Sequence, residues 1–220
     1  MISIRRTQGV SIPRSGHAIT FQLGRRYFGD KFVYCDPDGT NFCSCRTVPC
    51  VNPETTFGKN HDFALRKSTG VILRKDVDYL IQYRNPVHSI TSNFQLYLKR
   101  HPEALSEEGW KKFAYRDIYY WNHFIDKWVL DYPDNAIPPF YLTYEELVGS
   151  PIDKAREIIA FMSDGDVDDE QFDKVMSKFK IEARGALSSF QYVDHGFFDE
   201  IERRTSQRLA ELNLPSWRDT

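Results

Sequence analysis

Val10-Ser11-Ile12-Pro13-Arg14-Ser15-Gly16-His17-Ala18-Ile19-Thr20 passes from an apolar segment, through a small-residue turn with one cation, into the start of a helix. The apolar run ends at Pro13. The helix is expected from about Ala18 through Phe21, Leu23 and Tyr27. A strand, a tight loop and a helix in that order aim unpaired backbone N–H groups at an anion. Gly16 lets the backbone approach a ligand with no side chain in the way. Arg14 adds a permanent charge that can fork onto a phosphate or sulfate. The expected geometry is a phosphate-cradling loop at the top of a parallel sheet. The alternative is a plain connection with an incidental arginine. The ordinary nucleotide loop ends in Gly-Lys-Ser/Thr. Here Gly16 is followed by His17, so an ATPase or GTPase is disfavoured.

Working outward, strands and helices alternate. Residues 2–12 hold a first strand or two, Phe32–Cys35 a short strand, and residues 35–60 look irregular. Asp78–Tyr83 is the clearest strand, apolar on both faces as a central parallel strand should be. Asn85-Pro86 ends it, and a helix follows from Val87 to Lys99. Trp110, Phe113, Ala114, Trp121, Phe124, Ile125 and Trp128 form one apolar stripe on a long helix. Phe140–Leu142 is a further strand. Residues 152–162, 172–179 and 197–212 are amphipathic helices. This pattern predicts an α/β fold: a three-layer, P-loop-like domain with a central, mainly parallel sheet flanked by helices.

At 220 residues the chain is expected to be one domain over 1–220. A net charge of −2 argues against a nucleic-acid partner held by bulk electrostatics. No apolar run approaches the roughly 20 residues of a membrane span. No apolar block follows Met1–Arg6, so a cytoplasmic location is expected.

A second strand-to-loop junction is Tyr83-Arg84-Asn85-Pro86, with Ser92 two helical turns on. Ligands of open α/β sheets bind at the C-terminal ends of strands. Arg84 and Ser92 can grip a phosphate there, one by a fork and one by a hydroxyl. Pairing of Arg84 with a carboxylate, and a solvated Ser92, is the alternative.

The two junctions together resemble a family, the sulfotransferases that use 3′-phosphoadenosine 5′-phosphosulfate (PAPS). Pro13-Arg14-Ser15-Gly16 is similar to their 5′-phosphosulfate loop: Pro, Lys or Arg, any residue, then Gly-Thr-Thr. Arg84-Asn85-Pro86 with Ser92 is similar to their 3′-phosphate motif. Thr143-Tyr144-Glu145-Glu146-Leu147 with Pro151 is similar to their Tyr-Glu-acid-Leu segment, and Lys59-Asn60-His61 to the Lys-x-His that supplies their base. The ordered set spans most of residues 10–151 and suggests a short member of bacterial type.

The resemblance implies roles. The backbone of Ser15, Gly16, His17 and Ala18 holds the 5′-phosphate, with Arg14 beside the bridging oxygen. Arg84 and Ser92 hold the 3′-phosphate, and Tyr144 lies near the adenine. Arg184-Gly185 is similar to a late phosphate contact. His61 is the candidate base, with Asp62 as second choice, and Lys59 joins Arg14 in stabilising the leaving oxygen. His17 and Ala18 replace the usual threonines, so either the loop backbone compensates or His17 itself donates. An imidazole of ordinary pKa, about 6.5, suits proton removal from an acceptor hydroxyl. The implied reaction is in-line sulfuryl transfer to a hydroxyl of a saccharide or small molecule, with no metal required. A small-molecule or nucleoside kinase with a divergent loop, or an inactive nucleotide-binding module, are the alternatives.

Cys35, Cys43, Cys45 and Cys50 cluster without the spacing of a zinc ribbon, leaving a structural metal, a disulfide or buried thiols open. The segment is expected to border the acceptor pocket as shape. Tyr115, Tyr119, Tyr120 and Trp121 either pack in the core or face a sugar or phenol.

Overall fold

A computed structural model of the chain describes residues 3–36, 47–65, 73–133, 136–183, 187 and 195–219. It packs as two compact units. The first comprises Met1–Ser11, Gly16–Tyr83 and Pro133–Glu182; the second comprises Ile12–Ser15, Arg84–Tyr132 and Ala183–Thr220.

The first unit is built on a five-stranded sheet: β1 (Thr7–Ser11), β2 (Tyr34–Cys35), β3 (Phe57–Asn60), β4 (Asp78–Tyr83) and β5 (Phe140–Thr143). Their order is β2-β3-β1-β4-β5, and every pairing is parallel. All five residues of β1 are buried, as a strand paired along both edges requires. Parallel pairing collects the C-terminal ends of the strands on one edge of the sheet. Helices α1 (His17–Phe28), α4 (Tyr144–Gly149), α5 (Pro151–Met162) and α6 (Asp169–Met176) belong to this unit. Leu23, Tyr27 and Phe28 of α1 share one core with Phe57, Leu80, Leu142 and Leu147, and with Ile158, Ile159 and Phe172 of α5 and α6. The expected α/β fold on a parallel sheet is what the chain adopts.

The second unit contains α2 (Pro86–Leu98), α3 (Glu107–Ile125) and α7 (His195–Glu211). Asn85 caps α2 by accepting from the Val87 N–H, and Ser106 caps α3 by accepting from the Gly109 N–H. Val87, Ile90 and Phe94 meet Trp110, Phe113 and Ala114 of α3 and Phe197, Phe198 and Ile201 of α7. The apolar stripe outruns α3, which ends at Ile125; one π-helical turn, Asp126–Leu130, then carries Trp128 into a buried position. Asp117 is buried where it accepts from Asn93 Nδ2 at 2.7 Å. Burial raises its carboxyl pKa, against the lowering effect of that hydrogen bond and of Arg116.

One expectation needs correction. The stretch read as irregular up to residue 60 ends in β3, which has one large apolar residue and is made a strand by pairing with β1 and β2. Thr143–Glu146 closes a capping box and starts α4, a helix too short to show periodicity. Residues 2–12 give the single strand β1 among the described residues. Cys35 and Cys50 are buried thiols, whereas Cys43 and Cys45 lie outside the described residues.

Leu80 is fully buried at the middle of β4. Leu80→Ala is expected to cost about 2–5 kcal/mol, read as a fall in urea midpoint at unchanged slope.

Candidate active site

In the first unit, β1 ends at Ser11 beside the end of β3 at Asn60, and His61 follows at once. The last paired residues of the two strands are Val10 and Asn60. Beyond them the His61 ring itself reaches the Ser11 carbonyl, with Nδ1 2.6 Å from the oxygen. A carbonyl only accepts, so Nδ1 carries the proton and Nε2 is the basic nitrogen. The same Nδ1 is 3.2 Å from Ser11 Oγ. Asp62 is buried with φ 49°, in the left-handed region. The turn brings Phe63 against His61, ring centroids 5.4 Å apart, and leaves Phe63 65% exposed. Lys59 Nζ stands 3.4 Å from Asp36 Oδ2.

His17 opens α1, but its ring turns inward. It lies 5.6 Å from the Phe57 ring and edge-on to His61 at 6.5 Å. A Cβ built on Gly9 would stand 2.7 Å from His17 Cε1, so β1 needs a glycine there. Nδ1 is 3.4 Å from Ser11 Oγ, and Nε2 has no hydrogen-bond partner among the described residues. Burial first, then the charges of His61 and Lys59, lower the His17 pKa well below the ordinary imidazole value.

The N-terminus of α1 carries no side-chain cap. Gly16 is its N-cap at φ 92°, and no acid stands in its first turn. Gly16 packs on α4: an added Cβ would lie 3.0 Å from Leu147 Cδ2 and 3.2 Å from Tyr144 Cδ2. Tyr144 thus borders Gly16. Ala18 is exposed on the first turn.

In the second unit, Arg14, Arg84 and Ser92 come together. Arg14 Nε donates to Ser92 Oγ at 2.9 Å, and Arg84 Nη1 lies 3.4 Å from the Arg14 carbonyl. Arg14 is exposed and holds φ 70°, a left-handed conformation that costs a non-glycine residue roughly 1–2 kcal/mol. Such strain collects at binding loops. Arg84 is buried, and its carbonyl accepts from Trp121 Nε1 at 3.0 Å. Asn85 Nδ2 donates to the Pro215 carbonyl at 2.9 Å, which fixes the start of α2. Ser15 is buried, its hydroxyl donating to the Ile12 carbonyl at 2.6 Å. His88, in the first turn of α2, has its pKa lowered to about 4 by burial and by the charge of Arg84.

No protein-family model and no curated protein matches the sequence. Solved structures do match. Retinol dehydratase in complex with retinol and PAP aligns over 94% of this chain and 82% of its own, at 16% identity and a TM-score of 0.59. Retinol dehydratase with androsterone and the inactive cofactor PAP aligns over the same shares, also at 16% identity, with a TM-score of 0.60. The chain has the sulfotransferase fold. A sulfotransferase from Alicyclobacillus acidocaldarius also aligns, over 96% of this chain and 95% of its own, at 14% identity; its TM-score of 0.44 is too low to bear on the site.

On this sulfotransferase fold the positions singled out in sequence fall into two groups. Gly16, His17, Lys59, His61 and Tyr144 lie in the first unit, and Arg14, Ser15, Arg84 and Ser92 in the second. Arg184 lies outside the described residues. Trp121 is core, whereas Tyr115 and Tyr119 are exposed. Ser11, Asp36 and Phe63 carried no signal in sequence; Ser11 and Asp36 enter through tertiary contacts with His61 and Lys59, and Phe63 through the turn after His61. Among the described residues no three His, Cys, Asp or Glu side chains gather as a metal site, and no helix is long and apolar enough to cross a membrane.

His17 and His88 are held neutral in the folded chain, whereas their unfolded counterparts bind a proton below pH 6.5. The unfolded state then binds more protons, so stability falls as pH drops. A urea midpoint that declines from pH 6.5 toward pH 4 is the expected result.

Proposed function

We propose that this chain is a PAPS-dependent sulfotransferase, moving a sulfuryl group to a hydroxyl of a saccharide or small molecule, with His61 as base. The observation that carries the reading is the junction of Arg14, Arg84 and Ser92, which come from two separate motifs. An arginine, a second arginine and a hydroxyl gathered at strand ends suit a phosphate-rich ligand. The PAP bound in retinol dehydratase, which shares the fold, favours the same donor class.

The residues fit this donor. The uncapped α1 N-terminus offers backbone N–H groups from Gly16 to Ala18 to the 5′-phosphate. Arg84 and Ser92 take the 3′-phosphate, and Tyr144 borders the adenine. His17 does not replace a threonine hydroxyl in this scheme, because its ring points onto Gly9; the loop backbone carries the contact. The donor supplies an activated sulfuryl group. What remains for the protein is positioning and charge stabilisation, as in phosphoryl transfer. Lys59 and Arg14 meet the negative charge that develops on the leaving oxygen, and no metal ion is required. His61 Nε2 accepts the proton of the acceptor hydroxyl. The exposed face of Phe63 beside that ring suits the flat side of a sugar or an apolar alcohol.

Calorimetry separates this reading from a kinase. Adenosine 3′,5′-bisphosphate should bind without magnesium and far more tightly than ATP, and Arg84→Ala should lose about 2–4 kcal/mol of that binding. Equal affinity for ATP, or a magnesium requirement, contradicts the proposal.

His61→Ala separates an enzyme from a silent nucleotide binder. Turnover of labelled PAPS across a panel of hydroxyl acceptors should fall by about 100-fold or more while bisphosphate affinity holds. Unchanged turnover removes His61 as base.

A further inference from the structure

We propose that Ser11 and His17 are positioning residues that hold the His61 ring in one tautomer and one orientation; the inference rests on the reading of His61 as base. One hydroxyl, that of Ser11, lies between the two rings. The Ser11 carbonyl 2.6 Å from His61 Nδ1 fixes the proton on that nitrogen. Ser11 Oγ, 3.2 Å from the same nitrogen, therefore meets an N–H and acts toward it only as an acceptor. Its own proton must point elsewhere. His17 Nδ1, 3.4 Å from Ser11 Oγ, is the acceptor on the other side. The chain of donation is then His61 to Ser11 to His17.

That chain requires a neutral His17, since a protonated ring would offer an N–H to Ser11 and turn its hydroxyl round. The surroundings supply this. His17 is only 6% exposed and packs on Gly9 and Phe57. The charges that act on it are those of His61 and Lys59, both cationic, and Lys59 is paired with Asp36. Asp62, buried, follows His61 directly. One consequence is the His17 Nε2 position: it carries the proton in this tautomer, yet it is buried with no partner among the described residues. An unsatisfied buried N–H costs stability, and a threonine, the residue of the resembling loops, would avoid that cost. The imidazole is explained by what Nδ1 does for Ser11. When His61 accepts a proton at Nε2, its Nδ1–H stays held by the carbonyl and the hydroxyl of Ser11, so the ring does not swing as it becomes charged.

The test is nitrogen NMR of the full-length protein labelled at histidine, combined with kinetics. Wild-type His61 should show a protonated Nδ1 and a bare Nε2 at alkaline pH. Ser11→Ala and His17→Leu should give mixed tautomers at His61 and lower kcat roughly 10- to 100-fold. KM for the acceptor and affinity for adenosine 3′,5′-bisphosphate should stay within about twofold. His17→Asn, whose amide stands in for Nδ1, should recover most of the lost rate. A wild-type His61 protonated at Nε2 overturns the inference, even if a variant does not fold. Unchanged His61 resonances in both Ser11→Ala and His17→Leu overturn it too. If the spectra behave as stated but no acceptor is sulfated, the anchoring holds and the enzymatic reading fails.

Discussion

β1 is hydrogen-bonded along both edges, and that constraint governs what its last residue can do. Its neighbours β3 and β4 run parallel to it, so the ends of all three strands reach the same edge. The ladder with β3 stops at Val10 and Asn60, and the next carbonyl, that of Ser11, is taken by an imidazole instead of a backbone amide. One backbone acceptor thereby sets the protonation pattern of a side chain fifty positions further on. A backbone oxygen is as fixed as the sheet that carries it, which makes it a more rigid anchor than a side chain.

The loop after β1 shows how strain and chemistry coincide. Arg14 and Gly16 both have positive φ. Only glycine adopts that conformation without cost, and at Gly16 the close approach of Tyr144 and Leu147 leaves little room for a Cβ. Arg14 carries the cost, and its guanidinium reaches Ser92 as a result. The two anion grips assigned in sequence to opposite ends of a nucleotide are therefore joined by a hydrogen bond within one unit. Arg84, buried beneath them, is steadied by Trp121 at its carbonyl.

Much of this was legible from residues alone, for physical reasons. Asp78–Tyr83 announces itself because a strand buried on both faces must be apolar throughout, and α3 because its stripe repeats over several turns. β3 was not legible: Phe-Gly-Lys-Asn has no alternation, and the Gln8 side chain lies over Gly58 only in the folded sheet. α4 offered only its cap, Thr143 with Glu146. The paired motifs singled out Arg14, Arg84 and Ser92 in two separate grips, but not the bond between Arg14 and Ser92, which depends on a left-handed residue. His17 was read as a possible phosphate donor because it follows Gly16, and nothing local reveals that Gly9 opens a space for its ring. Ser11 was silent for the same reason: its partner is His61, and that contact exists only once the sheet has formed.

A crystal structure of the chain with adenosine 3′,5′-bisphosphate is the most direct test of the central claim. The account predicts the 3′-phosphate on Arg84 and Ser92, with the 5′-phosphate against the backbone N–H groups that open α1. A bisphosphate bound elsewhere, with the Arg14–Ser92 pair untouched, would contradict it.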